Sequence, residues 1–465
     1  MKRFVILFLI LALFNTFAFG QKHQRPKVQT PAEFRSAPPG NDPQTIADLK
    51  WFELFGDKAL QELIQAALAG NYDLREAVAR IEQARANYGL ERSNQFPTIA
   101  ASTDIITEGR SRSGSAEIPA PINRTRTFGS VLLNLLTFEL DIWGRLRKAT
   151  AAAKADLLAT EETRKAVITT LVGDVATAYF NLRELDFELD IARRTLASRE
   201  ESLRIIRLRQ TRGVATMLEV REAEELVYDA SSVIPALEQS VEQTENFISF
   251  LTGKNPQSIP RGAELTDLVT PPTVPAGLPS DLIERRPDIR SAEQNLIAAE
   301  ARIGVAKAAY FPRISLTGFL GFESAQLSNL FKPSRSVWAF APQLVQPIFT
   351  GGRLKSGVRF SQAERDLFLV NYERTIQNAF REVSDSLVSY RKVKEELTQR
   401  ELLVETLRDR SRLAYLRYTG GVATLLDALD ADRNLFDAER TLAQTRRDEL
   451  LSVVQLYKAL GGGWQ

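Results

Sequence analysis

The sequence predicts a mostly α-helical, internally duplicated chain in which four strands contribute to a transmembrane β-barrel that other copies must complete. Three observations predict it. A series of motifs occurs twice at a fixed spacing. Two stretches, 147–212 and 353–419, each hold a single glycine and no proline. A pair of short alternating segments precedes each of these stretches.

The duplication organises the chain. Arg209-Gln210-Thr211-Arg212-Gly213-Val214-Ala215-Thr216 returns as Arg417-Tyr418-Thr419-Gly420-Gly421-Val422-Ala423-Thr424, and Gly144-Arg145-Leu146 returns as Gly352-Arg353-Leu354, both 208 residues later. Phe96-Pro97 returns as Phe311-Pro312 at a spacing of 215, which places seven extra residues of the first copy in the loop 108–125. The first repeat is 57–253 and the second 288–465. Between them, 254–287 holds seven of the twenty prolines and reads as a linker. Residues 21–56 read as an extended N-terminal arm.

Each repeat opens on a helix, 57–94 and 288–310, that stops at Phe-Pro because the residue before proline avoids the helical region. Two strands follow in each: 98–107 and 127–138, then 314–322 and 337–345, the last weakened by Pro342. In 314–322, Ile314, Leu316, Gly318, Leu320 and Phe322 share one face, the period-two alternation of a strand with one apolar side. The glycine-poor stretches predict helices of roughly 90 Å at 1.5 Å per residue. A second helix follows each: 218–251, with Pro235 expected to kink or break it, and 425–460. Between the paired helices, Gly213 and Gly421 suit a left-handed helix end. Thr216-Met217-Leu218-Glu219 and Thr424-Leu425-Leu426-Asp427 suit capping boxes. Val214-Ala215 and Val422-Ala423 remain as tight connections.

Composition removes most chemistry. There is no cysteine, and the only histidine is His23, which excludes disulfides and thiolate metal sites and leaves no basis for histidine-based zinc sites or triads. No cofactor and no enzymatic activity is expected. Lys and Arg number 60 against 58 Asp and Glu, and the excess sits in Lys2 and Arg3, so nothing global points to nucleic acid. The basic start, the apolar run 4–14 and Ala18-Phe19-Gly20 describe a signal peptide, 1–20, cut before Gln21. No later run is apolar enough for a transmembrane helix, so membrane entry requires a closed barrel. Four strands are too few to close one, since small membrane barrels start at about eight.

The chain resembles the TolC-like outer membrane factors of the OprM/NodT branch. The resemblance rests on Trp51-Phe52-Glu53-Leu54-Phe55-Gly56-Asp57, on the run from Gly277 through Leu278-Pro279-Ser280-Asp281-Leu282 to Arg285-Arg286-Pro287-Asp288-Ile289-Arg290, on Ala308-Ala309-Tyr310-Phe311-Pro312-Arg313, and on the ending Leu456-Tyr457-Lys458-Ala459-Leu460-Gly461-Gly462-Gly463-Trp464. It implies a homotrimer with a twelve-stranded barrel in outer-membrane lipid and a helical barrel through the periplasm. It also implies a periplasmic adaptor protein and an inner-membrane transporter of the RND type, together exporting drugs, metal ions or other toxic compounds. Many relatives in this branch carry a lipidated N-terminal cysteine, which this chain lacks, so an unlipidated arm is expected. A type I protein-secretion duct and a poreless secreted coiled-coil stalk are the alternatives.

Leu426, Asp430 and Arg433, at i, i+4 and i+7, share one helical face near the turn. The resemblance implies that they line the closed constriction: Leu426 as a steric plug, Asp430 as a ring of carboxylates that would select cations, and Arg433 as its partner. Leu218 and Glu222 are the first-repeat counterparts. The turns Gly213-Val214-Ala215-Thr216 and Gly421-Val422-Ala423-Thr424 are the expected adaptor-docking surface. Asp427 is assigned to capping. Trp143 and Trp338 read equally as membrane-interface anchors and as packed aromatics. The Arg and Glu runs of the long helices read as solvated faces.

Overall fold

The computed structural model describes residues 25–26, 30–31, 33–35, 45–109, 111, 123–268, 277 and 279–464. The expected signal peptide and most of the inserted loop lie outside these residues. Seven helices and four strands carry the fold: α1 (Lys58–Gly70), α2 (Tyr72–Ser93), β1 (Ile99–Gly109), β2 (Thr125–Glu139), α3 (Arg145–Thr211), α4 (Met217–Leu251), α5 (Pro287–Ala308), β3 (Arg313–Ser324), β4 (Ser336–Val345), α6 (Arg353–Thr419) and α7 (Leu425–Ala459). The described residues form two compact units, one built mainly from 81–159 and 292–371, the other mainly from 45–80, 160–291 and 372–464. Each repeat therefore contributes to both.

The first unit holds a single antiparallel sheet in the order β1-β2-β3-β4. The register sets Ala101, Leu133, Leu320 and Trp338 in one row across all four strands. Leu133, Leu320 and Trp338 are exposed, as are Ile99, Ile105, Phe340 and Leu344. This apolar outer face is the one the alternation predicts. A Cβ on Gly321 would lie 2.1 Å from the Val131 carbonyl oxygen, so only glycine allows β2 and β3 this approach. β4 forms as expected and runs through Pro342; within one chain it is an edge strand, where a missing N–H is best tolerated. Trp143 is a packed aromatic: its indole N–H donates to the Pro312 carbonyl at 2.8 Å and its ring stacks on Phe311 at 4.8 Å. Trp338 is exposed on the sheet.

The second unit corrects four expectations. The lead-in helix 57–94 is two helices. Asn71 separates them, its amide donating to the Leu251 carbonyl and its Oδ1 accepting the N–H of Leu74 to start α2. α4 passes through Pro235 without a break, because Leu237, Val233 and Ile234 pack with Leu189, Ile191 and Phe436 and hold the turn despite the lost hydrogen bond. The arm contains a helical turn, Trp51–Leu54, and the linker a short helix, Pro279–Arg285. Arg183, Glu184, Glu188 and Arg199 of α3 and Glu224 of α4 are buried rather than solvated.

Two buried nodes explain motifs met above. Asp57 accepts the N–H groups of Ala59 and Leu60 as an N-cap, and its other oxygen accepts the Tyr179 hydroxyl at 3.0 Å and the Ala263 N–H at 2.8 Å. Burial pushes the Tyr179 hydroxyl up to about 12. Arg286, from the Arg-Arg-Pro-Asp run, reaches Asp288, the Ala459 carbonyl and, at 2.7 Å, Glu382. That side chain therefore ties the linker to α6 and to the end of α7.

Glu184 and Glu188, one turn apart on α3, are only 4% and 3% exposed. They face Arg447, Arg440 and Gln444 of α7, with Asp448 beside Arg447. Burial, and then the neighbouring Glu188 carboxylate, push the Glu184 carboxyl up to about 8. The folded state thus holds a proton that the unfolded chain releases near 4.5. Stability from this pair is full below that value and is lost as the pH rises toward about 8. The thermal midpoint of the purified protein should fall across this window. Glu184→Gln, which keeps the neutral form, should flatten the fall; an unchanged pH profile in the variant would contradict the assignment.

Candidate functional site

The expected site residues lie where α3 meets α4 and where α6 meets α7, all within the second unit. Both turns are built alike. Gly213 and Gly421 each have φ +75°. The N–H groups of Val214 and Val422 reach back to the carbonyls of Arg209 and Arg417, and those of Gly213 and Gly421 to Gln210 and Tyr418. This is the six-to-one and five-to-two pairing that closes a helix end. Thr216 then accepts the Glu219 N–H at 3.2 Å, and Thr424 the Asp427 N–H at 3.3 Å, while each acid returns a bond to its threonine's N–H. The Thr424 contacts hold the Asp427 carboxyl below its ordinary value. Asp427 is therefore engaged as a cap. Val214 and Val422 stand exposed at the turns; Ala215 and Ala423 are half-buried beside them.

Apolar packing fixes the four helices next to the turns. Leu203 and Ile206 of α3, Val220, Ala223, Leu226 and Val227 of α4, Tyr418 of α6, and Leu425, Ala428 and Leu429 of α7 form one buried cluster. Arg209 lies over the Tyr418 ring at 4.8 Å, joining the two hairpins.

Leu426 and Leu218 are exposed, Leu426 at 61%. Both are apolar side chains that stand exposed near a helix start. Asp430 is half-buried and not a bare carboxylate. It accepts from Arg410 of α6 at 2.8 Å, from Arg433 at 3.2 Å and from the Asn434 amide at 3.0 Å. Two guanidiniums engage this one carboxylate, and Arg410 also acts on Asp427. Arg410 and Asn434 are the residues that sequence reasoning missed. Arg410 precedes Asp430 by 20 positions on the antiparallel partner helix, which no periodicity rule reaches; Asn434, at i+4, was visible. Glu222 is half-buried with no ion-pair partner among the described residues. Glu224, two positions further on, is paired: Arg207 holds it at 2.7 Å and Arg221 at 2.6 Å.

Among the described residues no helix is long and apolar enough to cross a membrane. The apolar outer face of the sheet is the part suited to lipid, and with the long helical hairpins it belongs to the class of outer-membrane β-barrel channels. The profile of the family described as outer membrane efflux protein matches residues 63–254 and 278–462. The chain is 39% identical over 417 residues to the solvent efflux pump outer membrane protein SrpC of Pseudomonas putida, covering 89% of this chain and 87% of that protein. It is 34% identical over 445 residues to the cation efflux system protein CusC of Escherichia coli O6:H1, covering 95% of each. Its fold matches the open state of the Neisseria gonorrhoeae MtrE outer membrane channel with a TM-score of 0.87 at 33% identity, over 96% of this chain and 98% of that one. The chain belongs to the outer membrane efflux protein family and is a component of the outer membrane. It has no cysteine to carry an acyl anchor.

The caps give a local prediction. Thr424→Ala should cost about 1 kcal/mol in the first turn of α7, roughly a fivefold rise in amide exchange at 425–428. Unchanged exchange there would show that the cap carries no weight.

Proposed function

We propose that the protein is the exit duct of a tripartite efflux pump. It works as a homotrimer whose twelve strands close a barrel in outer-membrane lipid. A periplasmic adaptor docks at Gly213–Thr216 and Gly421–Thr424, and an inner-membrane transporter of the RND type drives export of small molecules. Relatives named for solvents and for cations share this fold, which supports a duct whose cargo is chosen elsewhere in the pump.

The observation that carries the reading is the sheet's two open edges. Within one chain β1 and β4 each have a neighbour on one side only, and a strand edge in hydrocarbon leaves backbone groups unpaired at several kcal/mol each. Edge-to-edge pairing with other copies removes the cost. The duplication supports the same arrangement. In the chain, Trp143 stacks on Phe311 beside Pro312. The corresponding turn, Phe96-Pro97, has Phe96 exposed, and the segment leading into α6 exposes Ile348 and Phe349 at 90% each. Each of these surfaces calls for the other on a neighbouring copy.

The gate is Leu426, Asp430 and Arg433 of α7, with Arg410 as the additional clamp and Leu218 and Glu222 as the first-repeat contributors. A part-exposed ion pair is worth about 0–1 kcal/mol. Three additive copies reach roughly 1–3 kcal/mol, enough to shift an open–closed ratio about tenfold. Asp430→Ala should therefore raise the planar-bilayer conductance of the purified channel several-fold, and Asp427→Ala should leave it near wild type. A protein that forms no channel would overturn the duct reading, and an unaltered Asp430→Ala channel would remove Asp430 from the gate.

A further inference from the structure

We propose that Arg199 is a positioning residue of the gate: it fixes the axial register of α7 against α3 and α4, and thereby the height at which Leu426 and Asp430 stand. This rests on the gate reading given above.

Arg199 lies on α3 with its side chain 2% exposed. Its Nε donates to Asp432 of α7 at 2.8 Å. Its Nη1 donates to the Leu226 carbonyl of α4 at 2.9 Å and to Asp229 of α4 at 3.3 Å. The guanidinium also lies 5.0 Å from the Phe436 ring of α7. One planar cation therefore holds three helices. Asp432 is two residues beyond Asp430, roughly 3 Å along the axis and about 200° around it. Asp430 faces outward to Arg410 and Arg433, while Asp432 faces inward to Arg199. Fixing the inner carboxylate fixes the outer one.

Two observations separate this role from plain stability. The position equivalent to Arg199 in the second repeat is Leu407, a partly buried side chain packed with Val404, Ala438 and Leu442. Leu407 packs on the same gate helix as Arg199 does, so an apolar residue satisfies the helical frame there, and the arginine occurs only in the first repeat. Arg199 also keeps one buried nitrogen, Nη2, without a hydrogen-bond partner among the described residues. A buried ion pair with an unpaired nitrogen is a poor way to gain stability, since apolar replacements are often neutral or better. It is a good way to specify one register, because an arginine fork meets its acceptors in one geometry only.

The test uses the purified full-length protein in planar bilayers, with thermal midpoints measured in parallel. Arg199→Met keeps the stem and removes the charge; Asp432→Asn keeps the shape and removes the charge; Asp432→Glu keeps the charge and adds a methylene. Both charge-removing variants should raise the resting conductance about tenfold without altering the fully open level, and Asp432→Glu should stay closer to wild type than Asp432→Asn. A packing role predicts the reverse order at position 432, and that order would overturn the proposal. If Asp430→Ala opens the channel while Arg199→Met and Asp432→Asn remain closed, the positioning role fails and the gate reading stands. If none of the four opens it, the gate reading fails first and the proposal with it. Should Arg199→Met not assemble, the pair at 432 decides.

Discussion

An unpaired backbone group has no partner in hydrocarbon, and the whole architecture answers to that constraint. Four strands in the order β1-β2-β3-β4 satisfy three ladders and leave two open rows of N–H and C=O groups. Without a membrane these edges would be an aggregation hazard. In lipid they specify assembly, because the rows vanish only when other copies supply them. The duplicated chain suits this demand. It presents the same helix–strand–strand–helix unit twice.

The two repeats keep one backbone plan and differ in their charges. Both turns close with glycine in the left-handed region and restart with a threonine cap. After that they diverge. The second repeat clamps Asp430 between Arg410 and Arg433, while its counterpart Glu222 has no ion-pair partner among the described residues. The first repeat supplies Arg199 where the second has Leu407. The two hairpins thus share a common frame and carry unequal charges.

Elements set by local chemistry were legible in the sequence. The strand alternation around Ile314–Phe322, the glycine ends at 213 and 421, and the capping boxes at Thr216 and Thr424 depend on residues a few positions apart. The misses depend on partners far away in the chain. Asn71 divides the lead-in helix through the Leu251 carbonyl. Pro235 is tolerated through packing on α3. Arg199 and Asp432, 233 positions apart, read singly as solvated charges, because an arginine on a long polar helix looks the same whether it faces water or a buried carboxylate. That Leu426, Asp430 and Arg433 share one helical face was legible from their spacing; the gate role proposed for that face came only from the resemblance. Its clamp by Arg410 was not, since that pair is set by how α6 and α7 pack.

The central claim is that one chain cannot close its own barrel. Native mass of the detergent-solubilised protein tests it most directly. A particle containing three chains, with heat needed to release the monomer, is the predicted result. A stable single chain that conducts ions would contradict it.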